Sequence, residues 1–255
     1  MYNNEELLLD IRLNVLSKYV KKFILVESLV DHQGNIKKNS FQIENFKKFK
    51  GKIIHLKIEN FPERLKGTWQ RENFQRNFIS KATENLLDDD YVIISDIDEI
   101  PNLESLRNFE KCKFTAFQQS NFCFKLNMKN MTFPNWYGSK LCKKKYLKSP
   151  QWLRNQKVKK YSIFEFYKIK WNIIHNGGWH FSFLMNASQI KNKIKSFAHD
   201  EFNKKKFLKI NEIKKKIILG KDLFDRDQKY KKVNIDRTFP KQILDNINKY
   251  KEWIV

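Results

Sequence analysis

The stretch Tyr91-Val-Ile-Ile-Ser-Asp-Ile-Asp-Glu-Ile-Pro101 constrains this chain more than any other. Three consecutive β-branched residues, Val92 to Ile94, read as a strand covered on both faces. The run ends abruptly in Ser95, Asp96, Asp98 and Glu99, and Pro101 closes the extended segment. Asp96 and Asp98 stand two apart, so continued extended backbone sends both carboxylates to the same side. Two hard oxygen donors at that spacing suit Mg²⁺ or Mn²⁺, with water and substrate phosphates completing the shell. Asp, Glu and Pro also end strands and cap helices for purely structural reasons. Carboxylates packed this closely repel unless a cation neutralises them, which favours the functional reading.

The residues around this segment supply a frame for it. Leu8, Ile11, Val15 and Tyr19 recur at three- and four-residue steps and predict a helix over 5–19 with one buried stripe. Phe23 to Val26 reads as a short apolar strand, and 52–58 as another with Ile54, Leu56 and Ile58 on one face. Phe74, Phe78, Ala82 and Leu86 predict a helix over 69–87. Strands alternating with helices imply an α/β domain with a mostly parallel central sheet flanked by helices, with ligands at the carboxyl ends of the strands. Beyond the acidic segment, 113–128, 161–170 and 177–183 read as strands, and Ile190, Ile194 and Phe197 as a helix. Ile213 with Ile217 marks a further helix, and the last begins at Pro240. No boundary stands out, so 1–255 reads as one domain, with 1–101 forming one half and 102–255 the other.

A chain of 255 residues with 41% hydrophobic and 15% aromatic content can bury a sizeable core, which excludes general disorder. The net charge of +23 would suit nucleic acid or an anionic membrane. Its short runs at 143–145, 204–206 and 214–216 are scattered, though, which fits a solvated basic surface. Three cysteines, Cys112, Cys123 and Cys142, lack metal-type spacing and suggest a reducing compartment. The sequence shows neither a secretory signal pattern nor an apolar run of membrane-spanning length. The expectation is therefore a cytoplasmic protein, at most peripheral to an anionic membrane, and no nucleic-acid partner.

A cation clamped on a diphosphate suits cleavage of a sugar–phosphate bond, because it stabilises charge building on the departing group. The sugar carbon then passes through an oxocarbenium-like state, and the attacking hydroxyl needs a carboxylate or His as base. Further strings join the acidic segment: Asn4-Glu5, Asp10 to Leu13, Phe23 to Ser28 with Glu27, and Gln75-Arg-Asn77. Later come Trp136 with Gly138-Ser139, Gly177-Gly-Trp-His-Phe-Ser182, Ser196-Phe-Ala-His-Asp-Glu201 and Gly220-Lys-Asp-Leu223. In this combination the chain resembles glycosyltransferase family 17, which includes the β-1,4-mannosyl-glycoprotein 4-β-N-acetylglucosaminyltransferases.

The resemblance runs nearly end to end. It implies a GT-A fold, a UDP-sugar donor (UDP-N-acetylglucosamine in the animal members), a divalent metal, and inversion at the anomeric carbon. It makes Asp98 a metal ligand, with Asp96 on the ribose or sharing the metal, and His180 the late His that joins them, ahead of His199. Arg76 and Asn77, with Glu5 and Glu27, fall on the nucleotide side; an Arg fork suits phosphate or ribose oxygens. Glu201 is the first candidate for the general base, with Glu165 and Glu99 behind it. The resemblance also implies a further strand ahead of the Asn-Glu pair, whereas this chain begins at Met1, and a glycan or polysaccharide acceptor. Two competing classes use the same features. A metal-dependent nuclease or nucleotidyltransferase would show a glycine-rich phosphate loop, and the sequence has none. A non-catalytic nucleic-acid binder would interleave Lys and Arg with exposed aromatics, whereas most aromatics here sit at core-periodic positions.

Overall fold

A computed structural model of the chain describes residues 1–37, 40–159 and 169–255. Most of the strand expected over 161–170, and with it Glu165, lies outside the described residues. The chain opens with α1 (Glu6–Leu16), then β1 (Phe23–Ser28), a 3₁₀ stretch (Ile43–Lys52) and β2 (Ile53–Ile58). Helix α2 (Thr68–Asn77) runs into a 3₁₀ turn (Phe78–Ala82), and β3 (Tyr91–Ile94) and β4 (Glu99–Pro101) flank the acidic segment. Strands β5 (Phe114–Phe117), β6 (Gln119–Cys123), β7 (Met128–Asn130), β8 (Asn135–Trp136) and β9 (Lys140–Lys143) follow, then α3 (Pro150–Asn155). The remainder comprises β10 (Trp171–Ile174), β11 (Gly178–Ser182), α4 (Ala187–Ser196), α5 (Ile210–Ile218), β12 (Tyr230–Lys232) and α6 (Lys241–Leu244).

Helices and strands share the chain, but the strands form three sheets instead of one mostly parallel sheet. β1 and β2 pair in parallel. A second sheet has the order β10-β5-β9-β3, and a third the order β12-β7-β6-β11-β4, with β8 beside β6. Among the described residues, only β10 on β5 and β11 on β6 are parallel in these two sheets; their other pairings are antiparallel. The short chain reversal after β6 returns β7 beside it, which permits antiparallel pairing without a helical crossover. β1 and β3 stay unpaired with each other, and an apolar cavity of about 720 Å³ touched by Ile24, Leu25, Val92 and Ile93 lies between them.

Helix α1 departs from a single buried stripe because it is packed on two sides. Leu8, Ile11 and Leu16 join one core with Ile100, Phe181 and Tyr250. Leu9 and Leu13 join another with Phe41, Phe46 and Ile97. The helix ends at Leu16, and Tyr19 is exposed beyond it. The first core therefore ties the start of the chain to its last turn, and fixes α1 under the acidic segment. Among the described residues, no helix is long and apolar enough to cross a membrane.

Candidate active site

The acidic segment forms one wall of a cavity of about 640 Å³, lined by Asp96, Asp98, Glu5, Arg76, Arg154, Lys193 and His199 among others. Strand pairing builds this wall. β11 runs antiparallel to β4 and sets His180 opposite Glu99, while the Phe181 N–H donates to the Asp98 carbonyl at 2.8 Å. That pairing brings His180, distant in sequence, against the Asp-x-Asp turn. Gly178 makes it possible: at φ +129° it takes a conformation that L side chains rarely adopt, and a Cβ there would lie 2.1 Å from the Ile100 carbonyl oxygen.

Asp96 and Asp98 diverge in role. Arg76 and Arg154 each donate to Asp96, at 3.1 Å to Oδ1 and 3.0 Å to Oδ2. Burial pushes the Asp96 carboxyl up, but these guanidiniums outweigh it and hold it well below the usual carboxylate range. Asp98 receives no guanidinium. Its Oδ2 faces His180 Nε2 at 3.8 Å, too long for a hydrogen bond. Burial raises the Asp98 carboxyl, and His180 and Lys193 together more than offset that, leaving it below its ordinary value.

The tautomer of His180 follows from its other neighbour. The Asn121 amide donates Nδ2–H to the Phe133 carbonyl at 2.9 Å, so its Oδ1 is the end that meets His180 Nδ1 at 3.1 Å. Nδ1 therefore carries a proton, and in the neutral form of the ring the Nε2 lone pair is turned toward Asp98. Trp136 stacks on the imidazole at 4.7 Å and 18°, which fixes the ring plane.

Glu99 is the buried hub of the wall, 1% exposed. It accepts from Trp136 Nε1 at 2.7 Å, from Arg154 at 2.7 Å and from the Asp96 N–H at 2.9 Å. Gly138 leaves room for it, since a Cβ there would stand 1.9 Å from the carboxylate oxygen. Arg12, on α1, donates to the Asp96 and Glu99 carbonyls at 3.0 and 2.6 Å. Burial brings its guanidinium down to about 10 against the pull of Glu99 and Asp96. Lys140 is buried and donates to the Arg154 and Gln156 carbonyls at the end of α3, which anchors the Arg154 backbone. Burial and Arg154 together lower its amine to about 8.

The other sequence candidates divide. Glu5 lines the cavity and pairs with Lys193 at 3.2 Å. Asn77 instead accepts from the Gln151 N–H at 3.0 Å and so seats the start of α3. Glu27 is fully buried beside His55, accepts from the Ser40 N–H and hydroxyl at 2.8 Å, and does not line the cavity. Glu201 is half exposed and likewise off the cavity wall, hydrogen-bonded to His199 Nδ1 at 2.7 Å. Arg154 and Lys193 were not singled out from the sequence. Neither sits in a distinctive string, and only the packing of α3 and α4 brings them to the acidic segment. Among the described residues, no three His, Cys, Asp or Glu converge as a ready-made metal cage.

A buried acidic turn braced by arginines on the wall of a large cavity is the setting of an enzyme that handles a charged substrate. The glycosyltransferase family 17 model matches residues 1–251, and the chain belongs to that family. Glycosyl transfer from a donor sugar to a glycan acceptor is therefore its general activity. No curated protein and no solved structure matches the chain.

Proposed function

We propose that the chain is a metal-dependent, inverting glycosyltransferase of GT-A type that moves N-acetylglucosamine from a UDP-sugar to a glycan or polysaccharide acceptor. The observation that carries this is the Asp98–His180 pair. The Asp98 carboxylate and His180 Nε2 face each other at 3.8 Å, too far apart for a direct hydrogen bond. With the imidazole neutral both groups are acceptors that a cation would join, and one oxygen and one nitrogen donor would suit Mn²⁺ or Mg²⁺. Asp98 and His180 would hold the ion, and diphosphate oxygens and water would complete its shell. When bound, the metal neutralises charge on the departing nucleoside diphosphate.

Asp96 takes a different part in this reading from that of metal ligand. With both oxygens given to Arg76 and Arg154, it aims two guanidinium forks at the cavity, a geometry suited to diphosphate oxygens. Lys193, held by Glu5, adds a third cation on the same wall. Asn77 and Glu27 support the site from behind, through α3 and the segment at Ser40. On this reading 1–101 brings Arg76, Asp96 and Asp98 to the nucleotide side of one domain, and 102–255 brings His180, Arg154 and Lys193 to that side as well as supplying the acceptor side.

A panel of UDP-sugars tests the proposal, with UDP release measured with and without Mn²⁺. Turnover of UDP-N-acetylglucosamine that requires Mn²⁺ and falls about 100-fold or more in Asp98→Ala is the expected result. If no UDP-sugar is bound or turned over, and Asp96→Ala and Asp98→Ala change nothing, the proposal is wrong.

A further inference from the structure

The cavity needs a group that takes the proton from the attacking hydroxyl, and its carboxylates are nearly all engaged. Glu72 pairs with Arg76 at 3.0 Å, Asp96 with two arginines, and Glu5 with Lys193. Asp31 accepts from the Asn35 N–H at 2.8 Å, and His32 Nε2 is bonded to Gln75 at 2.8 Å. Asp98 faces His180. His199 is different. Its Nδ1 is bonded to Glu201 at 2.7 Å, and its Nε2 has no hydrogen-bond partner among the described residues.

The His199 ring is also held in place. Trp69 meets it edge-on at 4.6 Å, with Phe197 at 5.5 Å and Phe202 at 5.8 Å. The Thr68 hydroxyl donates to the Ala198 carbonyl at 2.9 Å and ties this segment to the start of α2. A carboxylate accepting Nδ1–H leaves the Nε2 lone pair free, the arrangement of a base oriented by a third group. We infer that His199 is the base of the transfer reaction, and that Glu201, which does not line the cavity, is its positioning residue. The inference rests on the glycosyl-transfer reading of the same cavity.

The step balances without a further reagent. The acceptor O–H proton moves to His199 Nε2 as the oxygen bonds to the anomeric carbon. The anomeric C–O bond to the diphosphate breaks, and its electron pair leaves with the diphosphate. Besides Glu5, Asp96, Asp98 and Arg154, the charged groups that line the same cavity are Glu72 and Arg76 from α2, Lys193 from α4, and Asp31 and Lys37 from the loop after β1. Asp200 adjoins His199 in sequence, and the Arg226 guanidinium lies over the Phe202 ring at 5.4 Å.

The test uses water as acceptor, following UDP release from UDP-N-acetylglucosamine with Mn²⁺ alongside UDP binding by calorimetry. His199→Gln and His199→Ala are expected to bind UDP within about twofold of the parent while turnover falls about 100-fold. The acid limb of the parent rate profile should vanish with the imidazole. Glu201→Gln is expected to cut turnover about tenfold and shift that limb to lower pH, because an imidazole without its carboxylate protonates less readily. Glu201→Asp should restore most of both. Retained turnover in the His199 variants overturns the inference while leaving the donor reading intact, and so does loss of UDP binding in step with turnover. An unmoved limb in Glu201→Gln overturns the positioning role. Failure of the parent to bind UDP at all breaks the donor reading, and this inference with it.

Discussion

Two groups of ionisable side chains serve the same cavity and are held in opposite ways. Around Glu99 the charges are buried and multiply bonded: Arg76 is 5% exposed, Arg154 17% and Glu99 1%. Around His199 the pair is nearly half exposed, and each partner makes one polar contact with the other. The difference matches what the proposed roles of the two groups require. A donor-side wall that must meet a diphosphate benefits from charges fixed before binding, with no reorganisation left at the moment of reaction. A base has to exchange its proton with solvent every turnover, which a sealed network would prevent.

Removing one member of the buried network should therefore cost far more than removing one of the exposed pair. Arg154→Met strips one guanidinium from both Asp96 and Glu99, and the expected loss is about 3 kcal/mol of unfolding free energy by denaturant titration. A loss below about 1 kcal/mol would show that Arg76 and Arg12 already compensate these carboxylates, and the contrast would narrow. Gly138→Ala comes next, at about 1–3 kcal/mol, since its Cβ would collide with the Glu99 carboxylate. Unchanged stability there would mean that Glu99 can leave its pocket freely.

Acid titration sharpens the comparison further. The Asp96 carboxyl is depressed in the folded chain, so its stabilisation is complete above about pH 4 and is lost as pH falls through the acid range. The parent should lose stability on acidification, and Arg154→Met should show a shallower slope. An identical slope would remove Arg154 from the set that holds Asp96 ionised. The smallest effect expected is on the stability of Glu201→Gln, within about 0.5 kcal/mol of the parent, because a pair this exposed is largely screened. A larger loss would make Glu201 a structural residue and weaken its role beside His199.

The basic surface shows the same principle at its weak end. Lys143 and Lys145 both meet the exposed Asp89, and Lys206 and Lys216 meet Asp225. The runs that looked in the sequence like a possible anionic footprint are in part spent on nearby acids.

Local pattern was sufficient for a good deal of this molecule. The apolar run at 92–94 and most of the segment expected over 177–183 are strands, and the stripe of Ile190 and Ile194 is the buried face of α4. The helix expected over 69–87 stops as regular α-helix at Asn77 and tightens into a 3₁₀ turn. Its apolar spacing of fours carries no information on that change in hydrogen bonding. Parallel or antiparallel pairing was equally beyond reach, because a strand's own residues do not name their neighbour.

The same division holds for the acidic segment. Sequence alone determined that Asp96 and Asp98 stand at the end of a buried strand, since an apolar run stopping at clustered carboxylates has few other solutions. Tertiary structure alone decided that the two differ. Arg76, Arg154 and Arg12 arrive from three helices to take up Asp96 and its backbone, while β11 brings His180 to Asp98. The physical reason is range: backbone propensity and burial are written in spacings of two to four residues. The charge environment that separates one carboxylate from its neighbour is set by side chains as many as 84 positions away in the chain.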